Sequence, residues 1–223
     1  MSRLTLLLLL LCAADPTLSI AQGAIHEIAI DPDSDCFYVP ASADTSGAAA
    51  LLVLSCTGAT FLDLDSLAPV ADSFGLILAG CHASHNHRTA LENDRDILAT
   101  YAKLAGRYRV DPTHIFICGF SGMGGQSILE LVAHPSLFRG ALSACSPQVS
   151  LVGPEQEPLA DNACYLISRE QDWNLKANRL MYRELQDMGV PSTLEVLPGE
   201  HAPGPIEELF QGLTWLFEHT RQN

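Results

Sequence analysis

The sequence predicts an α/β fold, with one mostly parallel sheet and helices on both of its faces. Three observations predict it. Short β-prone apolar runs alternate with segments whose apolar residues repeat every three to four positions. Several runs are apolar almost throughout, as in strands buried on both faces; Ala49 to Cys56 is the plainest. One run, Ile115-Phe116-Ile117-Cys118, passes through Gly119 and Phe120 into Ser121 and then straight into a helical pattern.

The chain opens with a targeting segment. Arg3 precedes an apolar stretch from Leu4 to Leu11 that continues through Cys12, Ala13 and Ala14. That stretch is too short to span a bilayer. Ser19-Ile20-Ala21 places small residues at −3 and −1 for cleavage before Gln22, so residues 1–21 read as a secretory signal peptide. Export to the periplasm or the outside follows. Residues 22–223 then form a single domain, with no further run apolar enough for a membrane helix.

Ile25 to Ile30 and Cys36 to Val39 are strand-like pieces around a turn at Asp31-Pro32-Asp33, expected at the antiparallel edge of the sheet. Ala49 to Cys56 is the first central strand. Leu64 to Phe74 forms a short helix, and Gly75 to Ala79 the next buried strand. Leu91, Ile97, Leu98, Tyr101, Leu104 and Tyr108 mark one face of a long helix, which Val110-Asp111-Pro112 ends. After the strand at Ile115, the residues Ile128, Leu129, Leu131 and Val132 repeat at helical spacing. Strands follow at Phe138 to Ala144, Ala163 to Ser168 and Thr193 to Leu197. Helices are centred on Met181 and Leu185, and on Leu209 to Phe217. Ser146 to Asp161 is turn-rich, and no insertion is long enough for a large lid.

The composition is 48% hydrophobic and 17% charged, with a formal charge of −14. Such an acidic chain is no partner for nucleic acid, which needs basic surface. Six cysteines follow the signal segment, and an even count in an exported chain permits disulfides. Four of them, Cys56, Cys118, Cys145 and Cys164, lie in or beside strand-like runs, where cysteine serves as a small buried hydrophobe. One or two bridges at most are expected.

The stretch Gly119-Phe120-Ser121-Gly122-Met123 sets a serine at the tip of a strand-turn-helix. Such a bend exposes one hydroxyl, and the helix N-terminus behind it offers N–H groups to a developing anion. It resembles the nucleophile elbow of the α/β-hydrolase superfamily, matching the first four positions of G-x-S-x-G; Met123 stands where a small residue is usual. The resemblance extends over roughly residue 48 to the end. It implies a three-layer α/β-hydrolase fold in which nucleophile, acid and histidine follow in that chain order. Ser121 is then the nucleophile. The loop after Ala163 to Ser168 offers Asp172, with Glu170 as rival carboxylate. Asp172-Trp173-Asn174 resembles the acid's setting in esterases of the dienelactone-hydrolase, polyhydroxybutyrate-depolymerase and feruloyl-esterase type. His201, in Pro198-Gly199-Glu200-His201 before the last helix, is the base. The oxyanion hole should use the Gly122 N–H and a second donor, Thr57 or Gly58, from the loop after the first central strand.

The resemblance implies a serine hydrolase that cleaves a small or polymer-borne carboxylic ester and needs no cofactor. A serine peptidase on the same scaffold, or a non-catalytic binding protein that kept the fold, are the alternatives. His82, His85 and His87, within Cys81 to Arg88, could bind zinc or copper at that spacing. No fixed scaffold surrounds them, and exposed loop residues or substrate contacts are the better reading.

Overall fold

A computed structural model describes residues 17–21, 25–31, 34–44, 47–151, 159 and 161–220. Nine strands form one sheet: β1 (Thr17–Ala21), β2 (Ile25–Ile30), β3 (Cys36–Val39), β4 (Ala48–Leu54), β5 (Ile77–Cys81), β6 (Val110–Phe120), β7 (Gly140–Ala144), β8 (Ala163–Arg169) and β9 (Ser192–Leu197). Five helices join them: α1 (Phe61–Phe74), α2 (Ala90–Arg107), α3 (Gly122–Ala133), α4 (Leu175–Asp187) and α5 (Ile206–His219). The spatial order is β1-β2-β3-β5-β4-β6-β7-β8-β9. β1, β2 and β3 pair antiparallel, and β3 meets β5 antiparallel. From β5 across to β9 every pairing is parallel.

The central strands alternate faces although both faces are apolar. Ala50, Leu52 and Leu54 of β4, with Ile115 and Ile117 of β6, pack beneath α2, α3 and α4. Leu51, Val53, Phe116 and Cys118 pack beneath α1 and α5 on the other side. Two helix-covered faces are what continuous apolar strands require.

Several boundaries differ from the sequence expectation. α1 starts at Phe61 rather than Leu64, because Asp63 accepts a hydrogen bond from the Thr60 N–H (2.7 Å) and caps the first turn. Val110-Asp111-Pro112 opens β6 instead of merely closing α2, which ends at Arg107. Ala48 pairs with Val110 but Ala50 with Ile115, so residues 111–114 bulge out of the ladder. Pro112 sits in that bulge, where no ladder N–H is needed. The turn-rich segment is described only to Leu151 and again at Leu159 and from Asp161.

All six described cysteines are thiols, so the expected bridges do not form. Cys36, Cys81, Cys118, Cys145 and Cys164 are buried, and Cys56 is half-buried. β1 lies within the segment assigned to the signal peptide, and residues 1–16 of that segment fall outside the described residues. No described helix is long and apolar enough to cross a membrane.

Candidate active site

β6, β7, β8 and β9 lie side by side in that order with their C-terminal ends at one edge of the sheet, and the loops beyond β6, β8 and β9 meet there. At the end of β6 the backbone turns sharply. Ser121 adopts φ 54° and ψ −126°, a left-handed conformation strained for any residue but glycine. Its N–H donates to the Ala144 carbonyl (2.8 Å), and its carbonyl accepts from Gly125 (3.1 Å). The strain is held between β7 and the first turn of α3.

The turn is tight because two glycines let backbones approach. A β-carbon at Gly119 would lie 2.3 Å from the Met123 carbonyl oxygen, and one at Gly124 would lie 3.0 Å from that of Ala144. The place of close approach is therefore Gly124, one residue beyond the position that sequence assigns to it. Met123 has room: it is buried in the core under α3, with the Ser84 hydroxyl 3.6 Å from its sulfur.

The loops after β8 and β9 are tied to each other. Glu170 N–H donates to the Leu197 carbonyl (2.9 Å) and Gln171 N–H to that of Gly199 (3.0 Å). Arg169, 6% exposed, grips Glu208 of α5 through both terminal nitrogens at 2.7 Å. A bidentate pair of this kind fixes orientation as well as distance. Asp172 and His201 are thereby brought face to face.

His201 Nδ1 lies 2.9 Å from Asp172 Oδ1, and His201 Nε2 lies 2.9 Å from Ser121 Oγ. An ionised carboxylate only accepts, so Nδ1 carries the proton. In the neutral ring Nε2 is then the acceptor for the serine hydroxyl. Asp172 Oδ1 also accepts from the Asn174 N–H at 2.8 Å. Burial opposes ionisation of Asp172, but the Cys145 thiol, the Asn174 N–H and His201 outweigh it and hold the carboxyl below the usual carboxylate range. Glu170, the rival acid, is exposed.

Trp173 stacks on the His201 ring at 3.9 Å between centroids, and Phe120 lies at 4.9 Å. The imidazole thus has two aromatic neighbours, one stacked and one tilted. A cavity of about 340 Å³ opens beside the elbow, lined by Leu54, Cys56, Leu67, Phe120, Pro203 and Leu209. Its wall is mostly apolar.

Gly122 supplies the first backbone N–H of α3, which has no partner within the helix. The Asn86 carboxamide lies against it, since a β-carbon on Gly122 would come 2.2 Å from Asn86 Oδ1. The Gly58 N–H is engaged in a turn with the Ser55 carbonyl (3.1 Å), which removes it as an oxyanion donor. Thr57 stands exposed in the same loop. The Asn86 N–H bonds the Cys56 carbonyl (3.0 Å), so the histidine-rich loop braces the β4–α1 loop.

The three imidazoles of the histidine-rich loop do not converge. His82 Nδ1 donates to the Ala59 carbonyl (3.2 Å) and His85 Nδ1 to that of Asn86 (2.6 Å), while His87 is exposed. Among the described residues, donors close enough to share an ion are Cys145, Asp172 and His201 in this site, and Asp94, Glu130 and His134 elsewhere.

One neighbour of Asp172, the Cys145 thiol, escapes a reading of sequence. Cys145, at the end of β7 with φ 53°, brings its thiol to the carboxylate and is pushed up to about 12 by burial and then by Asp172. Asn174 donates through its side chain to the Cys145 carbonyl (3.0 Å). Asn174 stands in the Asp172-Trp173-Asn174 stretch, whereas Cys145 belongs to no motif. A cysteine with a positive φ outside a glycine turn leaves no mark in residue type.

No protein-family model matches the sequence, and no curated protein matches it either. Solved structures do match in shape. S-formylglutathione hydrolase from Staphylococcus aureus superposes with a TM-score of 0.62 at 14% identity, covering 90% of this chain and 94% of that one. The Bacillus cereus carboxylesterase gives 0.68 at 17% identity, over 83% of this chain and 94% of that one. Pyrococcus horikoshii acylaminoacyl peptidase gives 0.62 at 14% identity over 91% of this chain, but only 40% of its own. The elbow, the strand order and these superpositions agree that the chain has the α/β-hydrolase fold.

Proposed function

We propose that the protein is a serine hydrolase that cleaves a carboxylic ester through an acyl-enzyme. The observation that carries this reading is the hydrogen-bonded line Ser121–His201–Asp172 at a strained elbow, with 2.9 Å at both links. A serine hydroxyl is a weak nucleophile unless a base takes its proton and a third group orients that base.

Ser121 Oγ attacks the ester carbonyl carbon while His201 Nε2 takes the hydroxyl proton. Asp172 stabilises the imidazolium. The carbonyl oxygen gains negative charge, met by the Gly122 N–H at the positive end of α3 and by the Thr57 N–H as second donor. The tetrahedral adduct collapses: the C–O bond to the alcohol breaks, and His201 returns the proton to the departing oxygen. Water then attacks the acyl-enzyme, giving a proton to His201 that passes back to Ser121 as the acid leaves. The apolar cavity beside Phe120 suits an apolar substituent of the ester.

The chain spans 94% of the esterase neighbours named above and 40% of the peptidase, much of which lies outside the shared fold. Residues 1–21 support export, with residues 22–223 as the working domain.

A fluorophosphonate probe and a short-chain nitrophenyl ester test the reading. Wild-type protein is expected to label at Ser121 and hydrolyse the ester. Ser121→Ala is expected to lose labelling and to lower turnover by ~10⁴ or more. Unlabelled, inert wild-type protein would leave only a scaffold.

A further inference from the structure

At the far end of the elbow helix, three donors from two helices come together. His134 caps α3, Glu130 lies one turn before it, and Asp94 reaches across from α2. His134 Nε2 is 2.5 Å from Asp94 Oδ1 and 3.8 Å from Glu130 Oε2. One ligand atom from each residue lies within 4.8 Å of the others. Neither carboxylate pairs with a described Lys or Arg.

Glu130 gives the cluster its meaning. It is 1% exposed. Oε1 accepts from Gln126 Nε2 at 2.6 Å, and Gln126 also reaches the Ala90 carbonyl (3.2 Å), so the carboxyl is held in orientation. Oε2 is buried without any hydrogen-bond donor and is turned toward His134. Such a buried carboxyl either keeps its proton, as burial and the neighbouring Asp94 carboxyl favour by pushing it up to about 8, or meets a cation in the proton's place. The last turn of α3 carries no basic residue, although the negative end of its dipole lies there. His134 and Asp94 are each less than one-third exposed, so the point between the three is reached from solvent.

We propose that Asp94, Glu130 and His134 form a binding site for a divalent transition-metal ion, with zinc the best fit. One imidazole and two carboxylates are a borderline donor set, suited to zinc and its neighbours rather than to magnesium or calcium. Metal–ligand bonds of about 2.0–2.2 Å place tetrahedral donors roughly 3.3 Å apart. The observed separations of 2.5 Å to Asp94 and 3.8 Å to Glu130 straddle that value. Water completes the shell. Gln126 is the outer partner that keeps Glu130 aimed. The ion would link α2 to the C-terminal end of the helix whose N-terminus carries Ser121, about 18 Å away along α3. It takes no part in the serine chemistry, and the site stands whether or not the protein is an esterase.

The test is calorimetric titration of the tag-free, chelator-stripped full chain with zinc chloride, paired with melting curves. One equivalent is expected to bind and to raise the melting temperature. Asp94→Asn and His134→Ala, both at half-buried positions, are expected to weaken binding at least ~10²-fold, beyond the usual cost of losing an outer-shell partner. Glu130→Gln is expected to do the same. His201→Ala is expected to bind zinc as tightly as wild type, which separates this site from the donors around Asp172. Absence of stoichiometric binding, or binding that survives Asp94→Asn and His134→Ala but fails in His201→Ala, overturns the proposal.

Discussion

Asp172 has two oxygens with different surroundings. Oδ1 accepts from His201 and from the Asn174 N–H, while Oδ2 is buried with no hydrogen-bond partner among the described residues; the Cys145 thiol acts on the carboxyl as a whole. An Asn at this position keeps the shape but offers one acceptor and two donors. It selects the wrong imidazole tautomer, and Asp172→Asn is expected to lower ester turnover by about 10⁴ with the fold retained. Stability tests the same group independently. Its folded-state carboxyl is held low, so the stabilisation it contributes is complete above the unfolded value of about 3.9 and is lost as pH falls through the lower folded value. The gap in urea midpoint between wild type and Asp172→Asn is expected to be widest near neutrality and to close below about pH 4. A gap that widened on acidification would mean that the carboxyl is not held ionised. The candidates Ser121, Asp172 and His201 could be picked out because each stands just past a strand, in the chain order of the fold the sequence resembles. Cys145 could not, because its role comes from a loop geometry that residue types do not encode; the hydrogen bond from Asn174 to its carbonyl depends on the same geometry.

The elbow and α3 act as one element. Gly124 carries its tight contact: an added β-carbon meets the Ala144 oxygen and Ser143 Oγ at 3.0 Å and the Gly119 oxygen at 3.1 Å. Two of these atoms are backbone and cannot swing away. Gly124→Ala gains about 1 kcal/mol in helix propensity, against an overpacking cost of about 1–3 kcal/mol. Because α3 would have to lift from β7, the cost is expected to win, by up to about 2 kcal/mol, read from denaturant midpoints. A more stable variant would show that the strand and helix have slack here. The G-x-S-x-G pattern pointed to Met123 for this contact. The mismatch was local: the small residue is needed wherever the helix touches β7, and here Gly124 meets it while Met123 turns into the core. The opening of β6 was misread for a related reason. Asp111-Pro112 carries the composition of a turn, and only the bulge against β4 shows how such residues join a strand.

At the scale of the molecule, the parallel order from β5 to β9 was legible as apolar runs alternating with helical segments, and Ile25 to Ile30 with Cys36 to Val39 as an antiparallel edge. β1 was not, because an export signal and an edge strand make similar demands on a few small and apolar residues. Thr17 to Ala21 pairs with β2 alone, at the end of the sheet. The site is made by β6, β8 and β9 at the opposite half, and the core lies under the helices between. Removing an edge strand exposes one row of backbone groups on β2 but opens no part of that core. A chain beginning at Gln22 is therefore expected to melt cooperatively and to label with the fluorophosphonate probe at the rate of the longer chain. If it unfolds or labels far more slowly, β1 belongs to the working fold and cleavage must fall before Thr17.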